Sequence, residues 1–386
     1  IFYENNKFTN SFTNIVAIGS GSYGQVFKAM HKLEGYTYAI KKINIRLKPN
    51  EDLRNNIVFR EVGAMVNLHH KNIVRFITCW VEKEDGEGEN RTSLRRMRSN
   101  SESQNDESYS YFKRPSEAES QQNSNFEIVF EDTVKHSSKS FSRMHSVAVN
   151  SKGHVAQENV SLYIQMEFCS GNSLGAFLMS QDFDLIESDA FFVFGEILSG
   201  LCYIHARGLI HRDLKPGNIF ITAKGEIKIG DFGLATIHTD ADAIQCNESK
   251  QILNESSLNL RRAFDKLPKN FHSSKIGTPF YIAPEQENSN TYDSKADIYS
   301  LGIILFELLN CFKTAHEKVR SLAELKKTGK VSQAFKQEKP DVAQLIETLI
   351  IQSPSERPFA NEIWNLDEFA QWSGRISTQG DGKLVK

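Results

Sequence analysis

Three oxygen-bearing side chains stand in the sequence in an order that suits one kind of chemistry. Asp213 and Asn218 lie in His211-Arg-Asp-Leu-Lys-Pro-Gly-Asn218, and Asp231 follows in Gly230-Asp-Phe-Gly233. Moving a phosphoryl group requires a carboxylate to orient the attacking hydroxyl and separate oxygen ligands for the magnesium ions that neutralise phosphate charge. Asp213, Asn218 and Asp231 supply that set. Singly each is an ordinary turn former, so the reading rests on their order and on a lysine far upstream. That lysine is Lys41, ending the apolar stretch Tyr38-Ala-Ile-Lys41, where its ammonium can reach alpha and beta phosphates. A lone strand-end lysine is more commonly a surface residue, and Lys42 points to the opposite face. Glu61, on the next helical stretch, can pair with Lys41; in isolation it would be a solvated helix residue. Gly19-Ser-Gly-Ser-Tyr-Gly24, followed by Val26, lets backbone approach phosphate oxygens closely. Taken alone these glycines also suit an ordinary hairpin or a dinucleotide fingerprint. Their place between two strands favours a flap over nucleotide phosphates.

The elements that must hold these groups are legible from periodicity. Phe12 to Ile45 alternates in short apolar runs broken by glycines, which predicts an antiparallel meander. Leu53 to Leu68 has helical spacing, and Ile73 to Val81 returns to strand composition. From Glu82 to Val160 the chain turns rich in Ser, Asn, Gln, Glu and Arg, which predicts a disordered insertion. Within it, Phe126-Glu-Ile-Val-Phe130 alternates like a strand, and the basic stretch Arg91 to Arg98 could serve partners. Ser161 to Phe168 is a strand again. Phe191, Phe194, Ile197, Leu198, Leu201 and Ile204 then form the stripe of a long buried helix. Short strands are expected at Ile219 to Ile221 and Ile227 to Ile229, and helices at Lys295 to Leu309, Leu322 to Thr328, Val342 to Ile351 and Ala360 to Gln371. A polar stretch near 239–272 interrupts this second part, and 373–386 reads as a solvated tail.

Composition narrows the alternatives. The 386 residues exceed one typical domain, so two lobes are expected. Hydrophobic residues at 39% can build a core, and 46 basic against 48 acidic residues leave no net field for a polyanion, so no direct nucleic-acid binding is expected in this segment. The apolar run from Ile298 to Leu309 is far shorter than the ~18 residues of a membrane span. Five cysteines without a close pair fit thiols in a reducing, cytoplasmic setting or on the cytosolic face of a membrane. A start at Ile1 without a leader is expected of a piece of something longer.

These motifs, with Ala283-Pro-Glu285 behind them, resemble those of eukaryotic protein kinases over nearly all of the chain outside the insertion. The resemblance implies an α+β, bilobal fold: an antiparallel sheet with one main helix from 1–81 and 161–168, an insertion over 82–160, and a mostly helical lobe over 169–372. It implies ATP and Mg2+ as cofactors. Gly19, Gly21 and Gly24 would cover the phosphates, while Ile18, Val26, Ala39 and Phe220 would pack near adenine. Met166 would guard the pocket behind the hinge of Glu167, Phe168 and Cys169. Lys41 would pair with Glu61. Asp213 would be the catalytic base, Lys215 would stabilise the transferred phosphate, and Asn218 and Asp231 would hold metal. Lys215 and Gly277-Thr-Pro-Phe-Tyr281 resemble the serine/threonine kinases. Arg357 should pair with Glu285, and phosphorylation is expected among Ser273, Ser274 and Thr278, beside the cation of Arg212.

Finer wording resembles the kinases of the alpha subunit of eukaryotic translation initiation factor 2, a stress-response group. It is carried by Arg75-Phe-Ile-Thr-Cys-Trp-Val81, Leu162 to Cys169, Lys228 to Ala235, Asp297 to Leu309 and above all Thr314-Ala-His-Glu317 with Arg320. The resemblance makes Thr314, Glu317 and Arg320 the dock for that subunit, whereas alone such a threonine is an N-cap. It also implies a homodimer through the N-lobe, although Ser11 stands where the family's pairing Asp would be sought. A cell-cycle kinase of the Wee or NIMA-related type is the alternative within the class. A nucleotide-binding pseudokinase scaffold is the alternative outside it, and would need a broken position among Lys41, Asp213, Asn218 and Asp231.

Overall fold

A computed structural model describes residues 3–21, 24–47, 57–83, 158–180, 186–231, 236–237, 278–288, 292–310 and 312–366. A short helix α1 (Lys7–Ser11) leads into strands β1 (Phe12–Gly21), β2 (Gly24–His31) and β3 (Thr37–Leu47), then helix α2 (Ile57–Val66), β4 (Phe76–Lys83) and β5 (Glu158–Glu167). The five strands form one antiparallel sheet in the order β1-β2-β3-β5-β4. Side chains alternate across a strand, so the two faces divide cleanly. Ile40, Tyr163 and Trp80 join Phe8 and Phe12 in an aromatic cluster under α1. Leu162, Ile164 and Met166 turn to the other face and pack with Val62 and Met65 of α2. The same alternation buries Lys41 on the inner face, while the Lys42 ammonium lies 5.8 Å from the Tyr163 ring centre on the outer one.

The rest is mostly helical: α3 (Leu174–Met179), α4 (Glu187–His205), β6 (Leu209–Ile210), a 3-10 turn at Pro216–Asn218, β7 (Ile219–Ile221), β8 (Ile227–Ile229) and β9 (Thr236–Ile237). Then come α5 (Thr278–Tyr281), α6 (Pro284–Asn288), α7 (Lys295–Leu309), α8 (Ala315–Thr328), α9 (Gln333–Glu338), α10 (Pro340–Leu349) and α11 (Ala360–Trp364). Helices α4 and α7 are apolar on nearly every side and form the centre that the others surround. Gly302 lets α10 lie close, since a Cβ there would come within 2.7 Å of Leu349 and Ile350. Arg357, 1% exposed, grips Glu285 with two nitrogens at 2.6 and 2.8 Å and spends its remaining donors on the carbonyls of Lys295, Ile351 and Gln352.

Several bounds differ from the sequence reading: β4 runs to Lys83 and β5 starts at Glu158, inside the expected 82–160 insertion, because these residues pair in the sheet; α2 ends at Val66 and α10 at Leu349. Helix α8 begins at Ala315, seven residues before Leu322, because the Thr314 hydroxyl accepts the Glu317 amide and the Glu317 carboxylate accepts the Lys313 amide. Helix α10 starts at Pro340, whose missing N–H costs nothing in a first turn. Helix α11 is described to Trp364, and 367–371 lie outside the described residues, as do Phe126 to Phe130 and Arg91 to Arg98. No described helix is long and apolar enough to cross a membrane.

Candidate active site

The loop from His211 to Asn218 is built around a buried carboxylate. Asp297, at the start of α7 and 1% exposed, accepts the backbone N–H of His211 at 2.8 Å and of Arg212 at 2.9 Å. His205 Nε2, at the end of α4, lies 2.8 Å from the same carboxylate. Burial would raise the pKa of Asp297, but His205 and these amides hold it below the ordinary aspartate value. That grip lets Arg212 adopt the left-handed conformation, φ 70°. His211 is fully buried; its Nε2 donates to the Gly230 carbonyl at 3.0 Å and its Nδ1 accepts the Asp213 amide at 3.3 Å.

These anchors aim Asp213. Lys215 Nζ donates to both its carboxylate oxygens, at 2.7 and 2.9 Å. Asn218 Nδ2 donates to the Asp213 carbonyl at 2.8 Å and to its Oδ2 at 2.9 Å. A quarter of the Asp213 side chain stays open to solvent, so the carboxylate is both oriented and reachable. Asp213, Lys215 and Asn218 thus form one hydrogen-bonded group.

Lys41 brings in the sheet. Its ammonium contacts Asp231 Oδ1 across 190 positions of sequence. Crowding by protein would raise the Asp231 pKa, but the Lys41 ammonium overrides it and keeps the group ionised. Asp231 has φ 58°, and Gly230 N–H donates to the Asn218 carbonyl at 2.9 Å, so the two oxygen donors are held on adjoining backbone. The Glu61 side chain, expected to pair with Lys41, lies outside the described residues.

Strand register assembles the walls above. Gly19 faces Val26, Val26 faces Lys41, and Ala39 faces Met166. Gly21 pairs with Gly24, whose φ of 132° and clash distance of 1.9 Å from a Cβ to the Lys42 carbonyl admit only glycine. Ile18, Val26, Ala39, Cys169 and Phe220 are half-buried, whereas Met166 is buried behind them. Lys228 of β8 pairs at 3.0 Å with Glu167, which also accepts the Arg75 amide at 2.8 Å, so the hinge is tied to both lobes. Burial, reinforced by Glu167, pushes the Cys169 thiol up to about 12. It remains a thiol. Thr314 and Glu317 cap α8, and Arg320 is exposed on it. Ser273, Ser274 and the Thr278 side chain lie outside the described residues.

No motif in the sequence marks Asp297, His205 or Lys228 as part of the site. The usable signal was an acid at the head of an otherwise apolar helix, which burial makes costly unless something pairs with it.

The site suits the groups the motifs imply. Asn218 spends its amide nitrogen on Asp213, leaving its oxygen as a ligand, and Asp231 adds a carboxylate; both are hard oxygen donors appropriate to Mg2+. Among the described residues no cluster of three or more His, Cys, Asp or Glu could hold a metal unaided. Two protein oxygens are what a phosphate-bound Mg2+ requires, because phosphate and water supply the rest.

Comparison with known proteins agrees with this geometry. Residues 12–90 and 112–367 match the protein kinase domain family. The chain is 31% identical over 396 residues to the eIF-2-alpha kinase GCN2 of Schizosaccharomyces pombe, covering 92% of this chain and 23% of that protein. It is 33% identical over 370 residues to the interferon-induced, double-stranded RNA-activated protein kinase of Rattus norvegicus, covering 95% and 53%. Identity to eukaryotic translation initiation factor 2-alpha kinase 1 of Mus musculus is 28% over 459 residues, covering 99% and 71%. The chain therefore spans 23% and 53% of the first two relatives. With the match running through both lobes and the site at their junction, the chain belongs to the protein kinase family, as a kinase domain of the serine/threonine type.

Proposed function

We propose that the chain transfers the γ-phosphoryl group of ATP to a serine or threonine of the alpha subunit of eukaryotic translation initiation factor 2, repressing translation under stress. The observation that carries the transfer is the Asp213, Lys215 and Asn218 group facing the Lys41 and Asp231 pair. Asp213 orients the acceptor hydroxyl and takes its proton as the new O–P bond forms and the bond to the ADP oxygen breaks. Lys215 offsets negative charge beside that carboxylate. Lys41 holds the phosphates that stay behind, and bound Mg2+, on Asn218 and Asp231, supplies charge neutralisation. The choice of substrate is supported by the names of the relatives and by α8, whose residues Thr314, Glu317 and Arg320 serve no part of this chemistry. A reducing, cytosolic setting belongs to the same reading, supported by the odd cysteine count.

The test must separate docking from helix capping, since the Thr314 hydroxyl holds the α8 terminus. Thr314→Asp keeps a capping acceptor while adding charge. Arg320→Glu leaves the cap alone. With either variant, phosphorylation of the intact subunit should fall about tenfold or more, while autophosphorylation and turnover of a short generic peptide stay within about twofold. Undiminished phosphorylation of the intact subunit in both would remove the substrate assignment and leave a serine/threonine kinase of other specificity.

A further inference from the structure

Glu307 is a carboxylate in an expensive place. It lies on the last turns of α7 and is 2% exposed, where an ionised group is tolerated only with close partners. Its Oε2 accepts the Tyr281 hydroxyl, and its Oε1 meets the Lys318 ammonium of α8 as an ion pair outside good hydrogen-bond alignment. Tyr281 is itself buried, and its phenol is pushed well above its ordinary value by burial first and by Glu307 second, so it remains a donor. The Ser300 hydroxyl of α7 holds the Tyr281 carbonyl at 2.6 Å. Tyr281 is therefore gripped at side chain and main chain by one helix, and that helix is gripped by α8.

A second connection runs beside it. Lys326 of α8 pairs at 2.7 Å with Glu287 of α6. The neighbouring Gln286 donates at 3.1 Å to the carbonyl of Arg212, the residue before Asp213. Lys318, Leu322, Leu325 and Lys326 recur at i, i+4, i+7 and i+8, the spacing of a single helix face. The two leucines are buried, each flanked by a lysine seated on a carboxylate that leads to residues 278–288. His316, Arg320, Glu324 and Lys327 turn outward to solvent. The inner face of α8 is thus committed at two points to the stretch beside the catalytic loop, while the outer face is open.

We infer that Lys318 and Lys326 are positioning residues that lock α8 to residues 278–288, so that a protein seated on the outer face of α8 is held in register with Asp213. What sits there rests on the function proposed above; the lock itself does not. The effect expected is on alignment rather than affinity, because neither lysine belongs to the outward face.

The experiment uses the whole chain with Lys318→Met, with Lys318→Arg as the charge-retaining control. Glu307→Gln, which removes the carboxylate but leaves Tyr281 an acceptor, provides an independent break. In Lys318→Met, kcat on the intact initiation-factor subunit should fall about tenfold while its KM and the turnover of a short peptide move less than about twofold. Amide hydrogen exchange over residues 280–287 should quicken several-fold with that of α4 unchanged. Lys318→Arg should restore both readouts, and Glu307→Gln should reproduce the Met variant. Unchanged exchange over 280–287 in both Lys318→Met and Glu307→Gln overturns the lock. Equal loss on subunit and peptide with a lowered melting temperature assigns Lys318 to stability alone and also overturns it. If Thr314→Asp and Arg320→Glu both leave the subunit's kinetics untouched, the substrate reading fails separately, and the exchange measurement still decides the lock.

Discussion

Asp231 and Asp297 are both aspartates kept ionised against their surroundings, but they do different work and should respond differently to substitution. Asp231 keeps two-fifths of its side chain in solvent and sits at φ 58°, a conformation that asparagine shares more readily than most residues. Asp231→Asn should therefore keep the fold, with a melting temperature within about 2 °C, while phosphoryl transfer falls by about a hundredfold or more. Turnover near the parent level in a correctly folded Asp231→Asn protein would remove Asp231 from the metal site. Asp297 has no solvent and holds two backbone amides and His205, so Asp297→Ala should cost about 3–5 kcal/mol at neutral pH. Its folded pKa lies below the unfolded one, so its contribution is fully present above about pH 4 and is lost as pH falls through the folded value. The gap between parent and Asp297→Ala melting temperatures should then hold from pH 7 to 5 and close only below about pH 4. A gap that closes already between pH 7 and 5 would mean that an ionised Asp297 is not the source of the stability.

At the scale of elements, what the sequence discloses depends on whether one face alone determines the signal. The β1 to β3 meander and the α4 stripe are readable because each buries a repeating face, with Ile197, Leu198, Leu201 and Ile204 fully enclosed. The first turns of α8 are not, since Ala315 to Arg320 carry no apolar stripe and begin on a capping hydroxyl. Helix α9 escapes notice for a like reason: six residues, a Ser332 cap and one buried side chain, Phe335. The Lys41 contact with Asp231 and the Lys318 contact with Glu307 join elements remote in sequence, so no local pattern announces them. Gly302 is a case where packing reverses a local preference. In an exposed helix, Gly→Ala gains about 1 kcal/mol, but here the added methyl would press on Leu349 and Ile350 at 2.7 Å. Gly302→Ala should instead destabilise by about 1–3 kcal/mol, read as a lower denaturation midpoint at unchanged slope. A raised midpoint would mean that α10 yields freely.

For the whole molecule, the question is how a kinase domain carries residues 84–157 in the middle of its smaller lobe. The strands at either end are paired to their limits: Lys83 faces Val160 in the ladder, and its ammonium lies 2.6 Å from Glu158. Tyr3 closes the same corner, its hydroxyl bonding Glu158 at 3.0 Å and its ring under the Lys83 ammonium at 4.4 Å. The hairpin base therefore carries contacts of its own among the described residues. The entropy of closing a loop changes by only ~0.6 kcal/mol per doubling of length, so replacing 84–157 with a four- or five-residue turn, about four halvings, should favour the folded state by at most ~2.5 kcal/mol. The shortened chain should melt at the parent temperature or a few degrees above it, given ~2–4 °C per kcal/mol for a domain of this size. Because Asp213, Lys215, Lys41, Asn218 and Asp231 all lie outside the replaced residues, peptide phosphorylation should stay within about twofold of the parent. A fall in melting temperature beyond ~5 °C would instead assign the segment a packing role in the native state, and peptide activity lost without such a fall would assign it to catalysis.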